Sequence, residues 1–131
     1  MNKKYLPNID TQHPDINYDS IVSIGRQIVD VDTIVGGNGL RFIEYKSNWE
    51  PIHPDNRYKN IFDKVKNCKS KTEKEHVIST IDGGFSPIDL ICFNYGKKIQ
   101  ECFVESDGHR RVSIAHMFNL DKIQADVHKY S

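Results

Sequence analysis

Neither sign of charge dominates this chain. Its 18 lysines and arginines balance 18 aspartates and glutamates, so no global field draws it to nucleic acid or to an anionic membrane surface. No apolar run approaches the roughly 20 residues that cross a bilayer. The stretch from Met1 to Pro7 lacks the apolar segment of a secretory signal. Cysteine is scarce: Cys68, Cys92 and Cys102 cannot all pair within one chain. Each falls in an apolar pattern, which predicts reduced core thiols. Reduced thiols fit a reducing compartment, so the expected location is cytoplasmic. No histidine, cysteine or acidic residues recur at metal-ligand spacing, and no metal site is expected. His109 and His116 stand two helical turns apart, roughly 10 Å along an axis, too far to share an ion. Repeats are missing too. His13-Pro14-Asp15 returns only as His53-Pro54-Asp55, and both read as turns.

What remains is a chain of 131 residues, enough for one domain with a real core. Residues 1–20 are polar and read as an N-terminal arm, leaving 21–131 as the domain. A short strand is expected over 27–31, with a turn or short helix from Asp32 to Gly37. Residues 38–54 hold Arg41, Glu44, Lys46 and Trp49. They read either as a functional loop or as a cover with Trp49 plugged into the core. Residues 56–68 form the clearest helix, with Tyr58, Ile61, Phe62, Val65 and Cys68 on one stripe. Thr72, with Glu75 three residues on, suggests a capping box for a second helix that Gly83 and Gly84 end. Residues 87–93, apolar except for Asp89, suit a buried strand. Asn94 to Lys97 reads as a hairpin turn that brings 99–104 back as its partner. A helix over 110–118 turns Ile114, Ala115 and Phe118 inward, and Asn119 suits a left-handed cap. Ile123, Ala125 and Val127 alternate with polar residues as a last strand. The order predicts a small α+β domain with a mixed sheet and packed helices.

The chemistry concentrates in Asp107-Gly108-His109-Arg110-Arg111. A strand that enters a helix through glycine leaves backbone amides at the helix start without intrahelical partners. Those amides favour anions. Arg110 and Arg111 add guanidinium forks that match phosphate or carboxylate oxygens. Asp107 reads as an N-cap or as a carboxylate that handles a metal or a substrate hydroxyl. His109 reads as a general base near neutral pH or as an exposed residue without a fixed role. Arg41 and Glu44 read as a solvated pair or as loop groups that reach the site.

These residues and their order resemble the ParB/sulfiredoxin-like superfamily. Gly84-Phe85-Ser86-Pro87-Ile88 resembles its Gly-x-x-Pro-Ile box. The run from Val104 to Val112 resembles its Gly-x-x-Arg box, and 123–127 its closing strand. Val29 to Gly36 is a weaker match to its opening strand. The resemblance implies nucleotide binding at Ser86, Pro87, Gly108, His109, Arg110 and Arg111, with CTP, ATP or ADP and Mg²⁺ as the expected ligands. Two departures shape the reading. His109 stands where sulfiredoxin has its reactive cysteine and ParB proteins a glutamate, so sulfiredoxin chemistry is not expected, and the carboxylate that hydrolysis needs falls to Asp107 or Glu105. The chain ends soon after the closing strand, so a ParB helix-turn-helix is not expected, nor specific DNA binding. The expected function is nucleotide or phosphate binding, with hydrolysis or transfer at Asp107 and His109 as its catalytic form. The alternatives are a nucleotide-sensing or protein-interaction module without chemistry, and a ParB-like nuclease. The missing basic stripe disfavours the nuclease.

Overall fold

The structure, a computed structural model, describes residues 9, 13–37, 45–79 and 87–130. Among them five strands form one mixed sheet: β1 (Ile21–Asp30), β2 (Ile34–Gly37), β3 (Asp89–Phe93), β4 (Glu101–Val104) and β5 (Lys122–Tyr130), in the order β1-β5-β3-β4-β2. Pairing is antiparallel for β1 with β5 and for β3 with β4, and parallel for β3 with β5 and for β2 with β4. Helices α1 (Asn56–Lys66), α2 (Lys71–Ser79) and α3 (His109–Met117) pack with it. No helix among the described residues is long and apolar enough to cross a membrane.

The pleat sends alternate side chains to opposite faces. Leu90, Cys92, Cys102, Val104, Ile123, Ala125 and Val127 face the helices, where Tyr58, Ile61, Val65, Ile78, Val112, Ile114 and Ala115 meet them in the main core. Ile91, Phe93 and Phe103 face the other way and pack with Ile9 in a smaller cluster. The stretch read as a polar arm supplies part of that second cover. Ile9 is buried and Ile16 packs beside it. His13 stacks on Phe93 at 3.8 Å, and Asn17 N donates to the Tyr130 hydroxyl.

Local sequence sets the helix limits. Asp55 caps α1 by accepting from Tyr58 N at 2.8 Å. The expected capping box of α2 is displaced by two residues: Ser70 Oγ accepts from Glu73 N, and the Glu73 carboxylate accepts from Lys69 N. Glu75 instead accepts from the amides of Asp121 and Lys122, which ties α2 to the start of β5. Gly83 and Gly84 lie outside the described residues. Asn119 takes the left-handed conformation after α3, with φ 54°.

Three elements depart from expectation. β1 is longer, because pairing with β5 carries it back to Ile21 across a bulge at Ser23–Gly25. β2 lies where a turn was expected beyond Asp32. A single 3₁₀ turn, Val31–Thr33, is followed at once by this short parallel edge strand. The β3–β4 connection is longer than a tight hairpin. Asn94 and Gly96 have φ of 55° and 80°, and Gln100 Oε1 accepts from Gly96 N, so residues 94–100 close as a loop.

That longer loop corrects the reading of the cysteines. A turn at 94–97 would set Cys92 opposite residue 99, whereas the observed register pairs Cys92 with Cys102. Their Cα atoms are 4.1 Å apart and the two form a disulfide; Cys68 is free. Thiol reduction therefore no longer supports a reducing compartment. The crosslink closes a short loop, and chain-entropy reasoning assigns it about 2–3 kcal/mol. Urea unfolding of the oxidised protein and of a Cys92→Ala/Cys102→Ala variant should differ by about that amount. Equal midpoints would show that the crosslink contributes nothing.

Candidate functional site

One end of the sheet collects the segments singled out by sequence. Val104, at the end of β4, pairs with Gly37 on one side and Leu90 on the other. Asp89 N donates to Asp107 O at 3.0 Å, which holds the β4–α3 connection against the start of β3. Gly108 then caps α3 with φ 114° and ψ 4° and no side-chain cap bond. The first helical bond runs from Val112 N to Gly108 O at 2.8 Å, so the amides ahead of it point out of the helix start. A Cβ built on Gly108 would lie 2.9 Å from Ile88 Cγ2. Glycine is thus required twice, by backbone conformation and by contact with Ile88. Gly108→Ala should destabilise the fold by about 1–3 kcal/mol. A urea midpoint within error of wild type would contradict that reading.

The five residues of the motif have separate fates. Asp107 is exposed and does not cap α3; Gly108 occupies that position. His109 is only 7% exposed, so the reading of a solvent-exposed histidine is corrected: the first turn of α3 packs inward there. Arg110 turns to α1, where its Nη2 donates to Asp55 Oδ2 at 2.7 Å and its Nε to the same carboxylate at 3.2 Å. Arg111 is 5% exposed. Burial strips water from its guanidinium and lowers its pKa, and the negative charge of Asp107 opposes that shift. Pro87 is half-buried beside Ile88, while Ser86, Arg41 and Glu44 lie outside the described residues.

Asp55 therefore serves two elements at once. It caps α1 and binds Arg110 of α3. The Arg110 hydrogen bond lowers its carboxyl pKa below 3.8, and partial desolvation opposes that shift. A depressed carboxyl pKa adds stability that is complete above the unfolded value and is lost as pH falls through the folded one. Asp55→Asn keeps an N-capping side chain and removes the charge. It should cost less than about 1 kcal/mol at pH 7, since the pair is partly exposed. The difference should close as pH falls below the Asp55 pKa. Paired urea titrations from pH 7 into the acid range read this out; a gap that does not narrow as pH falls through the lowered Asp55 pKa would contradict it.

The segment around Trp49 is a core plug. Trp49 is fully buried with φ 72° and stacks on His116 at 4.7 Å. Ser113 Oγ donates to Trp49 O at 2.6 Å and contacts the Tyr58 hydroxyl at 3.1 Å. Burial raises the Tyr58 pKa. His116 Nε2 bonds Ile34 O at 2.9 Å. This histidine thus links α3 to β2 and to the Trp49 loop.

Sequence spacing gave no sign of one further grouping. Asp89, Glu105 and His128 place one ligand-type atom each within 4.8 Å of one another. They come from β3, from the residue after β4 and from β5, and only the strand register unites them. The available signals were Asp89, the sole polar residue in an otherwise apolar strand, and Glu105, a carboxylate near the Gly108 turn. Burial raises the Glu105 pKa, the nearby Asp89 charge adds to the shift, and His128 opposes it. Comparison with protein-family models, curated proteins and solved structures found no match for this chain.

Proposed function

We propose that the N-terminal end of α3 binds a nucleotide, or another phosphorylated small molecule, through its phosphate, as the likeness to ParB/sulfiredoxin-like domains implies. The observation that carries this reading is a bare, left-handed Gly108 cap followed by a desolvated Arg111. Outward amides and the helix dipole favour an anion, and a guanidinium supplies a two-pronged hydrogen bond to it. Arg110 binds Asp55, and the family pattern favours Arg111, so the proposal assigns the clamp to Arg111. The resemblance also implies Ser86 and Pro87 as binding residues; Pro87 is half-buried.

The non-catalytic form of this reading has a specific observation in its favour. His109 is packed inward and Arg110 is tied to α1. The motif therefore offers more for holding an anion than for moving a proton. In the catalytic form Asp107, exposed at the turn, is the base, and Mg²⁺ accompanies the nucleotide, as phosphoryl transfer requires.

A thermal-shift panel of CTP, ATP, ADP and GTP, with and without Mg²⁺, tests binding. A ligand at a hundred times its Kd stabilises the native state by about 2.7 kcal/mol. Calorimetry on variants tests the site. Arg111→Ala should weaken binding about tenfold to a hundredfold, and Arg111→Lys should recover part of it. Arg110→Ala should leave affinity nearly unchanged. Unchanged affinity in a folded Arg111→Ala protein would reject the clamp. No binding of any nucleotide at millimolar concentration would reject the function.

A further inference from the structure

The face of the sheet turned away from the helices carries polar side chains at one end. Asp89 shares that face with Ile91 and Phe93, His128 lies on it in β5, and Glu105 continues the Phe103 side of β4. We propose that Asp89, Glu105 and His128 form a site for one divalent transition-metal ion, of the Zn²⁺ or Mn²⁺ class, with coordination positions left open to water. The inference does not rest on nucleotide binding.

Distance, chemistry and rigidity carry it. The three ligand atoms lie within 4.8 Å of one another. Donors bound at about 2.0–2.2 Å to a first-row ion sit roughly 3 Å apart when adjacent, so small rotamer changes close the site. Two carboxylates neutralise a dication and suit Mn²⁺, and an imidazole nitrogen favours Zn²⁺ over Ca²⁺ and Mg²⁺, which prefer oxygen donors. The backbone is fixed beneath all three residues: Glu105 N donates to Asp89 O at 2.8 Å, and β3 pairs with β5 along its length. Ser106 Oγ donates to Asp89 Oδ2 at 2.9 Å, which orients the carboxylate and turns Oδ1 toward the cluster. That Oδ1 is shielded from solvent and makes no hydrogen bond. His128 Nε2 pairs with it at 2.5 Å. A shielded carboxylate oxygen facing an imidazole nitrogen and a second carboxylate is a donor set that a cation completes. Asp126, opposite Asp89 in the register, adds negative charge and is paired with Arg26.

The test is calorimetric titration of ZnCl₂ and of MnCl₂, each alone, into the nucleotide-free full chain. One ion per chain is expected. Asp89→Asn, Glu105→Gln and His128→Gln should each weaken binding by at least the roughly 10–100-fold that loss of an outer-shell partner costs, and Ser106→Ala by about tenfold. His53→Gln, at an exposed histidine with no place in the cluster, should change nothing. Co²⁺ substitution gives a second readout, visible ligand-field bands that His128→Gln alters. If His128→Gln fails to fold by circular dichroism, the near-isosteric Glu105→Gln decides. No saturable binding, equal affinity in the folded ligand variants, or loss of binding in His53→Gln would each overturn the site.

Discussion

Gly108 has no Cβ, and the sheet has no room for one. An added Cβ would lie 2.9 Å from Ile88 Cγ2, and a φ of 114° is open to glycine and strained for other residues. Much follows from this one close approach. It lets the chain leave β4, turn over the start of β3 and enter α3 pressed against the sheet. Residues 111–116 are then buried in succession, because α3 has the sheet on one side and α1, α2 and the Trp49 segment around it.

The two arginines of one dipeptide have different surroundings. Consecutive helical residues point about 100° apart. Arg110 therefore reaches sideways to Asp55 and ties α1 to α3, while Arg111 stays desolvated in the first turn. The resemblance favours Arg111 for the clamp, but the sequence does not show where Arg110 goes. That depends on a carboxylate 55 residues away.

Local signals made much of the fold readable. The apolar stripe of Tyr58, Ile61 and Val65 marked α1, alternation marked β5, and Asn119 marked the end of α3. Readings failed where distant pairing decides. β2 carries two glycines in four residues and exists because β4 offers an edge. The capping of α2 moved to Ser70 because β5 recruits Glu75. Cys92 and Cys102 meet because Gln100 closes a longer loop than Asn94 and Gly96 suggested. The Gly108 turn was readable as a candidate site, since its signal is contiguous. The Asp89, Glu105 and His128 cluster was not, since its members come together only through the parallel and antiparallel register of three strands.

The central claim is that an anion sits on the α3 terminus. The most direct measurement is a ¹H–¹⁵N correlation spectrum of the full chain titrated with pyrophosphate and then with CTP and ATP. The account predicts saturable shifts that are largest for the amides of Gly108, His109, Arg110 and Arg111 and for the Arg111 Nε–H, with the Arg110 Nε–H held by Asp55 and little moved. Shifts confined to other surfaces, or none at millimolar ligand, would contradict it.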